Sequence, residues 1–192
     1  MQELKERIRR EGKVLPGNII KVDGFLNHRV DTALLSRMAD EFAKYFDVSK
    51  ITTVLTAEAS GIALATVCAQ KYGVPMLFAK KAKSDNIEGG LYQSEIFSYT
   101  YKKKVTLILS QEWLHADDHV LIIDDFMANG YAMQGLIDLV NAAGASIEGI
   151  GVAVEKGFQG GGDRFRQSGY PYKALAVIEK ADENGIDFRE ED

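Results

Sequence analysis

Hydrophobic residues in this chain form short continuous runs that alternate with stripes of helical spacing. Residues 120–123 are four apolar residues in a row, three of them β-branched, which is typical of an inner parallel strand buried on both faces. From Met133 to Ala143 apolar residues recur at the spacing of one helix face, and Gly144 can end that helix. The pattern therefore predicts a buried strand followed closely by a helix.

A similar succession of elements occurs earlier in the chain. Residues 51–56 are rich in β-branched residues, a helical pattern then runs to about Tyr72, and residues 76–79 form a short apolar run after Gly73 and Pro75. A strand, a helix and a second strand in succession form a unit whose two strands are parallel. The predicted fold class is therefore α/β.

The remaining segments carry weaker patterns. We expect helices over residues 2–11 and after Asp31, strands at 105–110, 145–154 and 174–178, and a loose hairpin around Asn184-Gly185. Glycines 160–162 are predicted to form a flexible link into a short helix. Residues 84–104 show little helical spacing, which predicts a long mobile hairpin or hood-like loop.

Composition narrows the class of protein. The length of 192 residues and the 46% hydrophobic content favour one main α/β domain with a small appendage, and the net charge of −5 argues against a general nucleic-acid binder. The single cysteine, Cys68, lies in an apolar helical pattern and is predicted to be a buried, inert thiol. No signal peptide and no membrane-spanning run is recognisable. We therefore expect a cytoplasmic enzyme or regulator.

The candidate chemistry follows the strand at residues 120–123. Asp124 and Asp125 come directly after it, and ligands of open α/β sheets bind at the carboxyl ends of the strands. Carboxylates accept hydrogen bonds from sugar hydroxyls or hold Mg²⁺, whereas a loop of small residues entering a helix near Gly130 suits a phosphate. A ligand with a phosphate and a diol, such as a ribose 5-phosphate, satisfies both requirements.

Two other interpretations of the acidic pair remain open. An apolar strand followed by two acids also describes a Walker B segment, but no G-x-x-x-x-G-K-[ST] pattern occurs in the chain, which disfavours a P-loop NTPase. In the second interpretation, Asp124 and Asp125 are structural turn residues at the end of the strand.

A second loop of small residues and a run of cations follow the two earlier strands. Ala59, Ser60 and Gly61 come after the strand at 51–56, where small side chains let backbone amides approach a ligand. Lys80 and Lys81 follow the strand at 76–79, together with Lys83. A plain tight turn and a solvated charge run explain these features equally well.

The stretch from His119 to Met133 resembles the phosphoribosyl pyrophosphate (PRPP) loop of type I phosphoribosyltransferases. It departs in one respect, because many members carry Thr-Gly after the small residue where this chain has Asn129-Gly130. The resemblance implies that Asp124 and Asp125 hold the ribose hydroxyls and act as the catalytic pair. It also implies Mg²⁺ bound with PRPP, a flexible loop that covers PRPP, and a homodimer. The implied PRPP-binding residues are Ala128, Asn129, Gly130, Tyr131, Ala132, Ala59, Ser60, Gly61 and Lys81, with Lys80 as second choice to Lys81.

Four segments stand in the same order as in bacterial xanthine phosphoribosyltransferases, namely residues 21–28, residues 58–61, the PRPP motif and residues 154–159. The resemblance implies a type I phosphoribosyltransferase fold, with a central, mostly parallel sheet flanked by helices, in a single domain over residues 1–192. A core of about 31–154 would carry a hood built from about 1–30 and 155–192, and the mobile loop would cover 84–104.

The implied reaction joins xanthine to the ribose of PRPP and releases pyrophosphate. The positions that match the base pocket of the family are Ile20, Asn27 and Lys156. A Lys offers only donors and would bind a 6-oxo group, whereas Asn27 offers a donor and an acceptor for the 2-oxo group and ring N–H of xanthine. Phe126 or Phe158 could stack on the purine. Alternatives are a guanine or hypoxanthine enzyme and a PRPP-binding regulator of the same fold.

Overall fold

The computed structural model describes residues 1–81, 90–98, 103–182 and 185–190. Helices in these residues are α1 (Gln2–Glu11), α2 (Thr32–Phe42), α3 (Ile62–Tyr72), α4 (Tyr131–Ala143) and α5 (Gly161–Gln167). Strands are β1 (Lys13–Leu15), β2 (Ile19–Lys21), β3 (Thr53–Ala57), β4 (Met76–Ala79), β5 (Leu91–Ser98), β6 (Lys103–Ser110), β7 (His119–Met127), β8 (Ser146–Lys156), β9 (Tyr172–Asp182) and β10 (Gly185–Phe188).

A six-stranded sheet in the order β10-β9-β8-β7-β3-β4 forms the centre of the molecule. All neighbouring strands in it are parallel except β9 and β10, which are antiparallel. The predicted mostly parallel sheet is therefore confirmed, as is the parallel pair β3–β4 joined through α3. The carboxyl ends of β3, β4, β7 and β8 consequently meet at one edge, where the candidate residues lie.

Strand β7 lies in the middle of this sheet and is buried on both faces, as predicted from its apolar run. Leu121 and Ile123 belong to a core cluster packed with α2 and α3, whereas Val120 and Ile122 belong to a second cluster packed with α4. Side chains alternate between the two faces of a strand, so a continuous apolar run is needed when helices cover both.

The predicted end of this strand was wrong. Strand β7 continues through both acids to Met127, because its parallel pairing with β8 continues to the pairs Asp124–Val152 and Met127–Glu155. The backbone of the two acids is therefore held by the sheet and does not belong to a loop. This backbone support fixes the position from which their side chains leave the sheet.

Glycines 160–162 do not form the predicted flexible link. Gly161 and Gly162 are buried in the first turn of α5. A Cβ on Gly161 would lie 2.2 Å from the Ala128 carbonyl oxygen, and one on Gly162 would lie 2.2 Å from the Glu155 carboxylate. The absent side chains are what allow α5 to pack directly on the loop after β7.

Other expectations have mixed outcomes. Asp31 caps α2 by accepting a hydrogen bond from the Leu34 N–H at 3.0 Å, and Cys68 is a buried thiol whose pKa burial raises to about 12. The antiparallel hairpin β1–β2 was not predicted. None of the described helices is long and apolar enough to cross a membrane.

Two predicted hairpins fall partly outside the described residues. Strands β5 and β6 form an antiparallel pair, and an antiparallel bridge between Lys80 and Ile108 connects it to β4. Residues 84–89 and 99–102 of the predicted mobile loop are not among those described. Strands β9 and β10 pair as the Asn184-Gly185 signal predicted, although Asn184 itself is outside the described set.

Candidate active site

The Asp125 carboxylate joins three segments that are distant in the sequence. It is buried and accepts a hydrogen bond from Asn27 Nδ2 on one oxygen and from Ser60 Oγ on the other, each at 2.8 Å. Asn27 was predicted for the base subsite, Ser60 for the pyrophosphate subsite and Asp125 for the ribose. The structure therefore brings one residue from each predicted subsite into contact.

Asp124 is buried beside Asp125, and its Oδ1 accepts a hydrogen bond from the Asp125 N–H at 3.0 Å. Burial raises the pKa of Asp124 well above its usual 3.8, repulsion by Asp125 adds to the rise, and Lys81 opposes it. A like-charged pair in a low-dielectric site favours keeping a proton. The two carboxyl groups therefore tend to carry less than two full negative charges.

The loop between β3 and α3 packs against Asp124. A Cβ on Gly61 would lie 2.2 Å from Thr56 Oγ1 and 2.5 Å from Asp124 Oδ1, so only glycine allows this approach. The peptide bond between Glu58 and Ala59 is cis. The sequence analysis missed Thr56, whose buried hydroxyl finds no hydrogen-bond partner among the described residues.

Lys81 is placed beside this loop through a contact of its backbone. Its N–H donates to Glu58 Oε1 at 2.6 Å, while the neighbouring Lys80 exchanges two backbone hydrogen bonds with Ile108. Lys81 also lines a cleft next to the end of β7, and its contact with PRPP stays a prediction. Lys83 lies outside the described residues.

A cleft of about 170 Å³ lies over the start of α4. It is lined by Lys81, Ile96, Phe97, Phe126, Met127, Ala128, Asn129, Gly130, Tyr131, Ala132 and Met133. Gly130 precedes the helix at φ +81°, and no side chain caps the first turn. The free N–H groups and the dipole of α4 make this end of the helix suitable for a phosphate.

Helix α5 supports this loop from behind, which the sequence analysis did not anticipate. The Gly161 N–H donates to the Ala128 carbonyl at 3.2 Å, and Arg164 Nη2 donates to the Gly130 carbonyl at 3.1 Å. The Phe165 ring fills the space in which a Gly130 Cβ would lie. The signal in the sequence is the triple glycine, which serves close packing here and not flexibility.

Lys156 ends β8 as a half-buried cation. Its Nζ donates to the Asn18 carbonyl at 3.3 Å and lies 5.8 Å from the centroid of the Phe126 ring, and no carboxylate in the described part of the chain pairs with it. Burial lowers its pKa. The ammonium group therefore has donors to offer to a ligand, beside the aromatic ring of Phe126 and not that of Phe158.

Ile20 has a different environment from Asn27 and Lys156. Its side chain is buried in the core cluster that also contacts Phe126, and its backbone pairs with Val14. The side chain therefore contributes to packing. A direct contact of Ile20 with a base stays a prediction.

Glu155, directly before Lys156, is fully buried and carries three hydrogen bonds. Arg166 donates to both carboxylate oxygens at 2.9 and 2.6 Å, and the Tyr172 hydroxyl donates at 2.9 Å. This network joins β8 to α5 and β9. It fixes the strand end from which Lys156 projects.

The described residues contain no group of three or more His, Cys, Asp or Glu side chains arranged to hold a metal ion. Among the carboxylates described at this edge of the sheet, Asp125 is already engaged by two donors, and Glu58 accepts from the Lys81 N–H. A cation here would need most of its oxygen ligands from a bound substrate and water.

Comparisons with known proteins agree with this geometry. The sequence profile of the Phosphoribosyl transferase domain matches residues 30–191. Xanthine phosphoribosyltransferase of Bifidobacterium longum is 54% identical over 180 residues, 93% of each chain. The protein of the same name from Lachnoclostridium phytofermentans is 50% identical over 191 residues, 98% of each chain.

Solved structures confirm the predicted type I phosphoribosyltransferase fold. The adenine phosphoribosyltransferase of Giardia lamblia, complexed with 9-deazaadenine, superposes with a TM-score of 0.77 at 22% identity over 92% of this chain and 98% of its own. The Trypanosoma brucei enzyme, in complex with AMP, pyrophosphate and ribose 5-phosphate, gives 0.72 at 22% identity over 91% and 79%. With a matching domain profile and relatives near half identity over almost the full length, this chain belongs to the phosphoribosyltransferase family.

Proposed function

We propose that this chain is a purine-salvage enzyme that transfers the 5-phosphoribosyl group of PRPP to N9 of xanthine, giving xanthosine 5′-monophosphate and pyrophosphate. The relatives named xanthine phosphoribosyltransferase support the substrate pair. The observation that carries the assignment is the Asp125 carboxylate, which holds Asn27 and Ser60 at the edge of the sheet where the α4 cleft opens.

The ribose subsite is built around Asp124 and Asp125. Their oxygens accept hydrogen bonds from the two ring hydroxyls, while residues 128–132 hold the 5′-phosphate at the start of α4. Held in this way at both ends, the sugar presents C1 to the base in a fixed geometry.

The reaction is a displacement at C1 of the ribose. The bond from N9 to C1 forms, the bond from C1 to the pyrophosphate oxygen breaks with its electron pair leaving on pyrophosphate, and the N9 proton passes to solvent. Positive charge develops on the ribose ring during this step. A buried carboxylate close to that ring stabilises the charge, which is a role we assign to Asp125.

The pyrophosphate subsite combines Lys81 with the backbone of Ala59, Ser60 and Gly61. Lys81 supplies a cation and the loop amides supply donors for the charge that leaves with pyrophosphate. Mg²⁺ bound with PRPP would supply further positive charge to the departing group. The acidic pair provides too few ligands to hold the ion alone, which fits an ion that arrives with its substrate.

The base subsite lies at Lys156, Asn27 and Phe126. The Lys156 ammonium donates to the 6-oxo group, and the Asn27 amide bonds to the 2-oxo group and the neighbouring N–H of xanthine. Ile20 forms an apolar wall behind them, and Phe126 rather than Phe158 stacks on the purine, because Phe126 lies beside Lys156.

We further propose that the chain is one domain in which residues 1–30 and 155–192 form a hood over a core of 31–154. The Met1 amine donates to the Leu175 carbonyl and Lys5 Nζ donates to the Arg189 carbonyl at 3.2 Å, so the two ends of the chain contact each other. The same proposal includes a cytoplasmic homodimer.

The deciding experiment is a spectrophotometric assay with PRPP and Mg²⁺ in which xanthine, guanine, hypoxanthine and adenine are offered in parallel. The highest kcat/KM for xanthine is expected. Preference for guanine or hypoxanthine would keep the mechanism and overturn the base assignment, since all 6-oxopurines share the acceptor for Lys156. PRPP binding without turnover of any base would favour the regulator instead.

Two variants test the acidic pair in the same assay. Asp125→Asn should lower kcat by at least about 100-fold, the size of effect that loss of an electrostatic catalytic group produces, while the melting temperature changes little. Asp187→Asn, at an exposed position of β10, is the matched control and should be active. An unchanged kcat in Asp125→Asn would remove the pair from the mechanism.

A further inference from the structure

The loop that is proposed to hold the 5′-phosphate contains no cation. Residues 128–132 are Ala, Asn, Gly, Tyr and Ala, so the loop offers backbone N–H groups, one amide and one hydroxyl. A phosphate carries up to two negative charges at neutral pH, and a helix N-terminus corresponds to about half an elementary charge. The one cation among the described residues that line the α4 cleft is Lys81, which is assigned to the pyrophosphate, so further charge compensation has to come from outside the lining.

Arg164 reaches this loop from α5. Its Nη2 donates to the Gly130 carbonyl at 3.1 Å and lies 3.0 Å from the position that a Gly130 Cβ would occupy. The same carbonyl accepts the first helical hydrogen bond of α4 from the Gln134 N–H at 2.9 Å. The guanidinium is therefore packed against the residue at which the phosphate loop becomes a helix.

Arg164 differs from its neighbouring arginines in how its charge is paired. Two nearby arginines are paired, Arg166 with Glu155 and Asp163, and Arg189 with Asp163 and Glu179. Arg164 has no such partner in the described part of the chain. Of its five N–H donors, the structure engages one, at Gly130.

We propose that Arg164 is a positioning residue of the 5′-phosphate subsite, which holds the loop through the Gly130 carbonyl and supplies the positive charge that the motif lacks. It does not line the α4 cleft, so it acts through the loop and through its field and not by direct contact. This inference rests on the proposed function, because it assigns a partner to the phosphate of the same ligand.

The test compares the affinity for a nucleotide with that for its nucleoside by titration calorimetry. Xanthosine 5′-monophosphate is paired with xanthosine, and guanosine 5′-monophosphate with guanosine, so that a wrong base assignment does not hide a phosphate effect. Arg164→Gln should weaken nucleotide binding about tenfold, a change of about 1.4 kcal/mol, and leave nucleoside binding within about twofold. Arg164→Lys, which keeps the charge, should restore nucleotide binding to within about threefold of the native value.

Arg10→Gln is the control for the change in net charge, since Arg10 is exposed on α1 and pairs with Glu11. It should not alter either affinity. Should Arg164→Gln fail to fold, Arg164→His replaces it. Relative to the native protein at the same pH, nucleotide affinity of this variant should rise as pH falls through about 6.5, where histidine gains its charge.

Equal losses for nucleotide and nucleoside would show a purely structural role and overturn the inference. So would an Arg164→Lys protein as weak as Arg164→Gln, an Arg164→Gln protein that binds normally, or an Arg164→His protein without the relative pH dependence. Failure of the native protein to bind any of the nucleotides would overturn the proposed function itself, and is distinguished from these outcomes because it does not depend on Arg164.

Discussion

At the scale of single residues, the carboxyl group of Asp124 is costly to bury. Burial and the neighbouring Asp125 raise its pKa well above the usual 3.8, so the folded state binds the Asp124 proton more tightly than the unfolded state does. The stability that this proton contributes is complete below about pH 4 and is lost as the pH rises through the folded pKa. Near neutral pH Asp124 therefore lowers the stability of the folded state, a cost that is common for residues of functional sites.

Asp124→Asn removes the charge and should raise the melting temperature at pH 7. The gain should become small near about pH 3, below the usual pKa of 3.8, where the native residue is largely protonated in both states. Differential scanning calorimetry at the two pH values measures the difference, with Asp187→Asn as the exposed control. A gain of the same size at both pH values would contradict the explanation by burial.

Gly130 is required for two separate reasons, and the chain offers a control that separates them. Its φ of +81° disfavours any side chain, and a Cβ would lie 2.7 Å from the Phe165 ring. Gly169 has a similar φ of +82° but nothing within 4 Å of a Cβ. Replacing either glycine by alanine therefore carries the same conformational cost, but only the change at Gly130 also creates a steric clash.

Gly169→Ala should lower the free energy of unfolding by about 1 kcal/mol through backbone conformation alone. Gly130→Ala should cost about 1–3 kcal/mol more, because Phe165 and Arg164 must move, and it should also weaken nucleotide binding. Urea denaturation of both variants measures the difference. Equal losses would show that the packing of α5 on the loop has no energetic weight.

At the scale of elements, the buried Glu155 connects β8 to α5 and β9 through Arg166 and Tyr172. Glu155→Gln cannot satisfy the bidentate contact with Arg166, and the remaining donors stay partly buried. We expect a loss of about 2 kcal/mol, which lowers the melting temperature by roughly 4–8 °C in a domain of this size.

The matched control for this variant is Glu179→Gln on β9, whose carboxylate is partly exposed and pairs with Arg189. Surface ion pairs contribute about 0–1 kcal/mol, so this change should lower the melting temperature much less. Thermal unfolding followed by circular dichroism compares the two variants. Similar losses in both would show that burial does not set the strength of the Glu155 network.

The elements that the sequence predicts well are those whose pattern depends on burial alone. The apolar run at residues 120–123 predicts a strand covered on both faces, and the apolar stripe from Met133 to Ala143 predicts one of the covering helices. The apolar positions of this run and this stripe are buried between the sheet and a helix. The end of β7 is not predictable in this way. It depends on hydrogen bonds to β8, which continue past two charged residues that would end a strand on composition alone.

The candidate site is predictable to a similar degree. Asp124, Asp125 and the loop after them are contiguous, so a local pattern shows them. Thr56, Arg164 and the Glu155 network are not, because their importance comes from contacts between segments that are distant in sequence. The triple glycine is the clearest case, since glycine required for close packing and glycine in a flexible link look identical in a sequence.

At the scale of the whole molecule, the residues assigned to the proposed ligands come from segments that are distant in the sequence. Residues assigned to them come from β3, β4, β7 and β8 with their following loops, and from residues 20–27. A ligand that binds the folded state only stabilises it according to its concentration relative to Kd. Ligand binding should therefore stabilise the whole cooperative unit and not one loop.

Xanthosine 5′-monophosphate at about 100 times its Kd should add about 2.7 kcal/mol and raise the melting temperature by roughly 5–10 °C. Xanthosine at the same concentration should give a smaller shift, because it lacks the group held at α4. Differential scanning fluorimetry over a concentration series is the measurement. A shift that does not change with ligand concentration would be inconsistent with binding.

The contact between the triple glycine and the loop after β7 has a consequence for fragments of this chain. A fragment that stops before Gly161 would contain the complete PRPP motif, both acids and the whole of α4. It would nevertheless lack the N–H that holds the Ala128 carbonyl and the guanidinium at Gly130. A gene truncated at that point would still be recognised by its motif, but the loop after β7 in its product would lack this support.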